Sequence, residues 1–495
     1  MKVSDLIKKE DVETWNHGEV ITITAGTGKG KSHFIKNDLY DYVKQHNKRI
    51  LMLIHRINCV SQFEHEINRD GKQDIIDIHT YQRIEAVRRN ENVLKLDEYD
   101  YIICDEFHYF MGDASFNNFT DLSFEAIISS KATKIFMSAT GDKMRKYLNK
   151  HRNIQTVDYV IERDFSFIEQ LEFYRKDETL EMFIQDCIEN NKKVIVFFAD
   201  SGKAYSMYKK YSDYAMLNVA EGNRHYKYVN ERKVSDMLHN EKFDDLLLFT
   251  TSVMDAGINI HDDELKNIII DGIKDIDVLI QCMGRKRLKE DEKIILTVRH
   301  ISNQQLGGLE TKMRTASNKA AYLKEYGTKA YSNKYSGQKN KSSDPTGIVY
   351  TVPVGDEDVV EFKTNDLRLF KISADVQELE NMKTYEGKNR YCDYLGEVFG
   401  MDYVVYEEIE KQDDLESYLD GLVGEKLFKN EQRELVDKIN LRDNKRRQQK
   451  SIGLLNEYLK ENKVMYQIVS KRSMIETDGI KKKKSYWEVI GDVNR

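Results

Sequence analysis

The stretch from residue 21 to residue 34 reads ITITAGTGKGKSHF and places three glycines between an apolar run and a helix-like segment. The apolar residues predict a buried strand, and the glycines predict a tight turn that brings backbone N–H groups to one side. Such N–H groups, together with the positive end of the following helix, hold phosphate groups. The pattern therefore predicts a phosphate-binding loop that comprises Gly26, Thr27, Gly28, Lys29, Gly30, Lys31 and Ser32.

Two side chains of this loop suit a nucleoside triphosphate. Lys31 would reach the β- and γ-phosphates, and the Ser32 hydroxyl would bind Mg²⁺. The stretch departs from the common pattern G-x4-G-K-[ST] at its first position, where Ala25 replaces glycine. An ordinary glycine-rich turn is the alternative interpretation. By itself the loop indicates nucleotide binding and does not indicate what work the nucleotide drives.

An acidic pair follows a second apolar run, YIICDEFH, which extends from residue 101 to residue 108. Asp105, at the predicted strand end, would bind Mg²⁺, and Glu106 would act as general base toward the attacking water. His108 would connect the nucleotide site with a second domain. A solvated Asp-Glu pair is the alternative, but the position of the pair after Lys31 in the chain favours the catalytic interpretation.

Three shorter segments come next in the chain. Ser138 and Thr140 follow the run KIFM, and their hydroxyls could hydrogen-bond the acidic pair. TTSVMDAGIN then extends from residue 250 to residue 259, and QCMGRKR from residue 281 to residue 287.

Arginines that face a γ-phosphate stabilise charge on the transferred group. Arg285 and Arg287, together with Gln281, are therefore candidate catalytic residues. Taken alone, GRKR is more typical of a solvated basic turn.

The ordered set AGTGKGKS, DEFH, SAT, TTSVMDAGIN and QCMGRKR resembles that of superfamily 2 helicases of the DExH type, over about residues 15–300. The resemblance implies two tandem RecA-like domains that close on ATP. It implies that the nucleotide state is transmitted through His108, Ser138, Thr140 and Gly257. It also implies nucleic-acid contacts from Arg56, Gln62, Thr80 and Thr251, chiefly to phosphates.

The last segment departs from the family pattern Q-R-x-G-R-x-G-R. Cys282 stands in the second position and Leu288 in the eighth, while Arg285 keeps the first arginine-finger position. Whether Arg287, shifted by one residue, is the second finger stays open. The Q motif of DEAD-box proteins has no clear counterpart before the phosphate-binding loop. Trp15 could stack on adenine instead, or it could be a core or surface residue.

The apolar runs predict an α/β fold with two parallel-sheet domains. Runs of Val, Ile, Leu and Phe alternate with helix-like segments up to about residue 300, as in parallel strands buried on both faces. We expect RecA-like domains at 1–158 and 159–301, a basic, tyrosine-rich helix with a linker at 302–353, and a mainly helical accessory region at 354–495. A chain of 495 residues is too long for a single core.

Composition argues against several other classes of protein. Five scattered cysteines without a C-x-x-C pair argue against a disulfide framework and against a zinc site. No apolar run reaches about 18 residues, and the N-terminus lacks an apolar signal segment, so we expect a cytoplasmic protein without a membrane partner. The net charge of −7 does not exclude nucleic acid, because clustered basic residues can still bind it.

The C-terminal third contains two basic segments and an acidic one. Lysines and tyrosines are interleaved at 310–341, a pattern that suits stacking on a single strand and equally an ordinary solvated helix. KKKKSYW at 481–487 could bind a phosphate backbone or be a solvated tail. The acidic stretch at about 354–422 could be a surface for a protein partner or could mimic the charge of nucleic acid.

These features predict an ATP-dependent helicase or translocase that uses ATP and Mg²⁺ and moves along nucleic acid. DNA is favoured over RNA, because the Q motif is absent and the chain resembles compact helicases of phages and mobile elements. The alternatives are a remodeller of protein–nucleic-acid complexes that does not separate strands, an RNA helicase, and a scaffold with a vestigial ATPase site.

Overall fold

The computed structural model describes residues 1–491 except for residues 56, 90–94, 116, 118, 253–258, 290, 337–347, 354–359, 444–446 and 478–479. Some side chains next to these gaps, including that of Gln62, also lie outside the description. The chain forms two compact units. The first comprises Met1–Leu171 and Glu181–Tyr403, and the second comprises Glu172–Leu180 and Val404–Arg495.

The first unit begins with a six-stranded sheet. Its strands are β1 (Val20–Thr24), β2 (Ile50–Ile54), β3 (Ile76–Thr80), β4 (Tyr101–Asp105), β5 (Thr133–Ser138) and β6 (Thr156–Val160). The strands occur in the order β3-β2-β4-β5-β1-β6, and all neighbours are parallel. The helices of this part are α1 (Val3–Leu6), α2 (Lys9–Thr14), α3 (Lys31–Phe34), α4 (Tyr40–Gln45), α5 (Ile57–Arg69), α6 (Tyr81–Arg89), α7 (Tyr109–Gly112), α8 (Thr120–Ile128) and α9 (Asp142–Lys146).

The sheet register explains why the sequence motifs meet. Every residue of β1, β2 and β5 is buried, as their continuous apolar runs predict for strands covered on both faces. Thr24 lies opposite Ser138, and Asp105 lies opposite Met137. Because the strands are parallel, the segments after β1, β4 and β5 all leave the same edge of the sheet.

The second sheet has seven strands. It includes β7 (Ile168–Tyr174), β8 (Lys193–Phe198), β9 (Ala215–Asn218), β10 (Leu247–Thr251), β11 (Leu265–Asp271) and β12 (Ile294–Arg299). Strands β12-β11-β8-β10-β9 are consecutive and parallel. The helices are α10 (Asp177–Glu189), α11 (Ser201–Lys210), α12 (Glu231–Asn240) and α13 (Ile276–Met283). The expected pair of parallel α/β domains is therefore confirmed.

The chain then continues through α14 (Asn303–Tyr331), which is kinked at Gly327, the hairpin β13 (Val349–Pro353) and β14 (Val360–Thr364), α15 (Asp366–Thr384), α16 (Tyr391–Phe399) and β15 (Tyr403–Val405). Helix α15 packs on the first sheet domain, where Leu367 is buried among residues of α7 and α8. Next to it the Asn365 side-chain amide donates to Thr120 Oγ1 at 3.0 Å. The Tyr350 hydroxyl donates to Asp121 at 2.6 Å.

The tyrosines of α14 and the segment after it are used in packing. Tyr331 is buried in a cluster with Val349 and Phe362, and Tyr322 packs edge-on against Tyr335. The two sequence interpretations of this segment, a surface for stacking on a single strand and a solvated helix with a loop, did not include this packing.

The second unit contains α17 (Tyr406–Asp420), α18 (Lys429–Ile439), α19 (Ile452–Glu461), β16 (Tyr466–Thr477) and β17 (Ile480–Gly491). Its core includes Leu419, Leu435, Leu455, Ile468 and Val489. The accessory region is mainly helical, as expected, but KKKKSYW lies in a strand. In the part of the chain that the structure describes, no helix is long and apolar enough to cross a membrane.

Candidate nucleotide-hydrolysis site

The phosphate-binding loop connects β1 with α3, in the strand-loop-helix context that the sequence predicts. Gly28 and Gly30 have φ angles of +75° and +83°, a left-handed conformation that glycine adopts without strain. Gly30 directly precedes α3, so the loop runs into the helix N-terminus. The other predicted residues of this loop, Gly26, Thr27, Lys29 and Ser32, lie between the end of β1 and the first turn of α3.

The ammonium group of Lys31 is folded back into the loop. Its Nζ donates to the backbone carbonyl oxygens of Ala25 at 2.7 Å and Gly26 at 3.3 Å. Burial lowers the pKa of Lys31, while the negative charges of Glu106 and Asp105 act in the opposite direction. An anion in the loop would favour the charged ammonium, so the site suits a phosphate group.

Asp105 and Glu106 lie where β4 ends, at the cleft edge of the sheet. Burial raises the pKa of Asp105 to about 7, and the adjacent charge of Glu106 adds to this effect. Burial also raises the pKa of Glu106, but the hydrogen bond with His108 and the charge of Lys31 lower this pKa by more. The pKa of Glu106 therefore lies well below its ordinary value.

The backbone of Glu106 is also unusual. It has a φ of +49°, in the left-handed region that costs free energy for a residue other than glycine. The Phe107 N–H donates to the Met137 carbonyl of the neighbouring strand at 3.1 Å and helps to hold this turn.

A chain of hydrogen bonds leads from α13 of the second sheet domain to Glu106 of the first. The Gln281 amide donates to His108 Nε2 at 3.2 Å and to Thr140 Oγ1 at 2.9 Å. His108 Nδ1 lies 2.9 Å from Ser138 Oγ, and Ser138 Oγ donates to Glu106 Oε2 at 3.3 Å. With Nε2 as acceptor, Nδ1 carries the proton, so a single tautomer satisfies the whole chain.

The two arginines lie close to this chain. Arg285 is only 4% exposed, and its Nε donates to the Gln281 carbonyl at 3.1 Å. Arg287 Nε donates to Asn259 Oδ1 at 2.8 Å. Burial lowers the pKa of Arg287 to about 10, and the positive charge of Arg285 adds to this effect. Among the described residues, the buried Nη1 of Arg287 has no hydrogen-bond partner.

The glycine between Gln281 and the arginines brings them to the phosphate-binding loop. A Cβ atom placed on Gly284 would lie 2.9 Å from Thr27 Oγ1 and 3.1 Å from Thr27 Cγ2. Real Cβ atoms essentially never approach another atom to 2.9 Å, so a side chain at position 284 would force Thr27 to shift. The arginine segment therefore faces the glycine-rich loop across a closed cleft.

The residues predicted to contact nucleic acid are described only in part. Thr80 ends β3, and its Oγ1 accepts the Arg83 N–H at 3.2 Å and so caps α6. Thr251 ends β10 and lines a cavity of about 550 Å³ between the two sheet domains and helices α14 and α15. Arg56, the side chain of Gln62, and Gly257 lie outside the described residues.

Sequence reasoning missed a partly buried ionic network on the wall of this cavity. Lys143 of α9 lies 3.0 Å from Asp277, 3.1 Å from Asp375 and 3.2 Å from Glu378. Lys371 of α15 contacts Asp375 at 2.7 Å and also contacts Asp275. Asp275 caps α13, because its Oδ1 accepts the N–H groups at residues 277 and 278. The sequence contains one signal for this part of the network: an Asp directly before the apolar run of α13 is typical of a helix N-cap.

The network connects three parts of the first unit. Helix α9 belongs to the first sheet domain and α13 to the second, and α15 contributes Lys371, Asp375 and Glu378. The positive charges of the lysines lower the pKa of Asp275 against the effect of burial. Nearby carboxylates likewise raise the pKa of Lys143 against burial. The network therefore holds α13, which carries Gln281, beside α9.

Trp15 is a core residue. It is buried near β1, and its Nε1 donates to the Tyr159 hydroxyl at 3.3 Å. Of the two interpretations of Trp15, its contacts favour the core. Among the described residues, no group of three or more His, Cys, Asp or Glu side chains is arranged to hold a metal ion by itself.

No family model matches the chain, and no curated protein matches it. Its fold is similar to that of S. cerevisiae Dbp5 bound to RNA and ADP BeF3, with 16% identity, a TM-score of 0.44, and 59% of this chain and 82% of Dbp5 covered. It is similar to the DUF1998 helicase MrfA bound to DNA and AMPPNP, with 14% identity, a TM-score of 0.43, and coverage of 58% and 47%.

A third similar structure is the Mycobacterium smegmatis helicase Lhr bound to ssDNA and AMP-PNP, with 13% identity, a TM-score of 0.37, and coverage of 63% and 43%. At these identities the likeness concerns the fold alone.

Proposed function

We propose that this protein is a helicase or translocase that uses ATP hydrolysis to move along nucleic acid, with DNA favoured over RNA. The observation that carries the proposal is the closed cleft, in which Gly284 of the second sheet domain lies against Thr27 of the phosphate-binding loop. A nucleotide in that loop would contact both domains at once. Its cleavage would therefore change how the domains are held together.

The residues at the cleft fit a triphosphate with a divalent cation. The Lys31 ammonium, held on two backbone carbonyls, and the unpartnered Nη1 of Arg287 both suit phosphate oxygens. Ser32 and Asp105 supply the hard oxygen ligands that Mg²⁺ prefers. When bound, Mg²⁺ would neutralise charge on the phosphates.

Glu106, Arg285 and Arg287 would have different roles in hydrolysis. Glu106 is ionised and can accept a hydrogen bond from the attacking water, as a general base requires. Arg285 and Arg287 offer positive charge from the opposite domain, where negative charge develops on the transferred group. Such arginine contacts are worth roughly 10³–10⁵ in rate.

The hydrogen-bond chain through Gln281, His108, Ser138 and Glu106 would couple the two domains to the reaction. If the domains separate, Gln281 leaves His108 and Thr140, and the chain of hydrogen bonds that ends at Glu106 loses its member from the second domain. Hydrolysis would then depend on closure. A strand of nucleic acid that contacts both domains, near Thr80 and Thr251, would favour closure and so stimulate hydrolysis.

The decisive experiment measures the ATPase rate of the full chain with single- and double-stranded DNA and RNA in parallel. We expect stimulation by nucleic acid that weakens as salt rises. Glu106→Gln should abolish turnover and preserve ATP binding, whereas Glu98→Gln, the same change at an exposed site of the same domain, should leave turnover unchanged.

Two outcomes would count against the proposal. Absence of stimulation by all four nucleic acids would refute a motor on nucleic acid, and undiminished turnover of Glu106→Gln would remove Glu106 from the reaction. A duplex-unwinding assay on the same samples separates a helicase from a motor that remodels complexes without separating strands.

A further inference from the structure

The hairpin β16–β17 of the second unit is not used in the proposed function. Its strands pair without interruption from Tyr466 opposite Gly491 to Thr477 opposite Ile480. At about 3.3 Å per residue, twelve residues make a ribbon roughly 40 Å long. The chain therefore builds a long, two-stranded arm in a unit whose other described elements are mostly helices.

The base of the ribbon is firmly held. Ile468 and Val489 are buried in the core of the unit. The Asn456 side chain bonds both the N–H and the carbonyl of Ile468, at 2.8 and 2.9 Å. The backbone groups of Leu427 and Trp487 exchange two hydrogen bonds at 2.8 and 2.9 Å. These contacts fix the direction in which the rest of the ribbon extends.

The described outer part of the ribbon is exposed on both faces. Arg472, Lys483 and Lys484 are exposed, and Met474 is 62% exposed. An isolated pair of strands is only marginally stable in water, so a ribbon without a covering layer gains stability from a partner.

Positive charge is carried on both faces of this outer part. Residues directly opposite each other in an antiparallel pair share a face, and successive pairs alternate between faces. Met474 lies opposite Lys483 on the same face as Arg472, whereas Ser473 lies opposite Lys484 on the other face.

We propose that the ribbon β16–β17 binds duplex DNA by entering its major groove. The major groove of B-form DNA, about 12 Å wide, admits a two-stranded β-ribbon. Phosphates line both walls of that groove, which matches cations on both faces of the ribbon. The contacts would be to phosphates and would therefore not depend on base sequence. This binding is independent of ATP hydrolysis and goes beyond the proposed function.

Other nucleic acids fit the ribbon less well. The stretch from Lys471 to Ser485 contains no aromatic residue, so it offers no platform on which the bases of a single strand could stack. The major groove of A-form RNA is too deep and narrow for protein elements to enter. The ribbon therefore favours duplex DNA over both single strands and duplex RNA.

The test measures binding of the full chain, without nucleotide, to a fluorescent 20-base-pair DNA duplex at several salt concentrations, a length chosen at roughly two helical turns. Lys483→Gln with Lys484→Gln should weaken binding about tenfold and reduce the slope of log affinity against log salt by about 2, since each phosphate contact contributes about 0.9. Lys450→Gln with Lys460→Gln, which removes the same charge at exposed sites of the same unit, should leave both unchanged.

The outcomes separate clearly. A selective loss of duplex DNA binding, with single-stranded DNA and duplex RNA affected less, supports the proposal. Equal affinity and slope of the variant and the wild type would overturn it, as would equal losses for all three nucleic acids. The variant should keep its nucleic-acid-stimulated ATPase activity. If the wild type itself shows no such stimulation, the proposed motor function fails, and this outcome is distinct from a failure of ribbon binding.

Discussion

Replacing Lys143 by methionine tests whether the partly buried ionic network holds the first unit together. The substitution keeps an unbranched side chain, one heavy atom shorter, and removes its charge from three carboxylates at 3.0 to 3.2 Å. At an effective dielectric constant of about 20, each such contact is worth roughly 5 kcal/mol of Coulomb attraction. Burial of the charges and repulsion between the carboxylates offset most of this attraction.

Removing one partner from a buried ion pair typically costs about 3–5 kcal/mol. Lys371 would still compensate Asp375, and Arg163 lies 3.6 Å from Asp277. Glu378 would be left with the least compensation, so we expect a loss near the lower limit, about 3 kcal/mol in the free energy of unfolding at pH 8.

The loss should shrink as the pH falls. Burial raises the pKa of Glu378, and Lys143 opposes this effect. In Lys143→Met the pKa of Glu378 would therefore rise further above its ordinary value. Because a carboxyl with a raised pKa in the folded state costs stability only while it is ionised, the cost falls as Glu378 takes up a proton.

The chain has two tryptophans, so the first unit can be monitored alone. In a Trp487→Phe background, the fluorescence of Trp15 reports urea unfolding of the first unit. Lys146→Met, an exposed lysine of the same helix, is the matched control and should change stability by less than about 0.5 kcal/mol. A loss below about 1 kcal/mol for Lys143→Met at pH 8, or an equal loss at pH 5.5, would refute the reasoning.

Three further predictions concern individual contacts. Gly284→Ala should lower ATPase activity at least about tenfold, because the added methyl group would prevent closure of the cleft. Adding Thr27→Ala to this variant should restore part of the ATPase activity. A double variant with no more ATPase activity than Gly284→Ala would contradict the steric reason. Gln281→Ala should reduce nucleic-acid-stimulated turnover more than unstimulated turnover in the same ATPase assay, because it breaks the bond to His108; equal reduction of both would argue against coupling. Burial raises the pKa of Asp121 to about 6, so its ionisation costs stability as the pH rises from about 4 to about 6. Asp121→Asn should therefore raise stability at pH 8 by at most about 3 kcal/mol, and calorimetry should show the gain vanishing by pH 4.

The strands that carry the motifs could be predicted, and some edge strands could not. The runs that became β1, β2, β4 and β5 are mostly apolar, because a strand covered on both faces needs no polar side. Strand β6 was missed, since it lies at the sheet edge and three of its five residues are exposed. Its sequence therefore resembles a loop.

The hairpin β16–β17 was missed for a related reason. Its lysine-rich strand shows no apolar alternation from Lys481 to Ser485, and the described side chains of that stretch, Lys483, Lys484 and Ser485, are exposed. Alternation of apolar and polar residues arises where one face of a strand is buried, so a strand without a buried face does not show it.

The sequence by itself determined the local parts of the site: a glycine-rich turn before α3, carboxylates where β4 ends, and hydroxyls where β5 ends. These follow from strand and turn patterns a few residues long, and parallel pairing brings them to one edge. Only the tertiary structure decided that Gly284 lies against Thr27, that Gln281 reaches His108, and that Lys143 meets Asp277 and Glu378. Such contacts join residues far apart in the chain, and they depend on how whole domains pack, which no local pattern specifies.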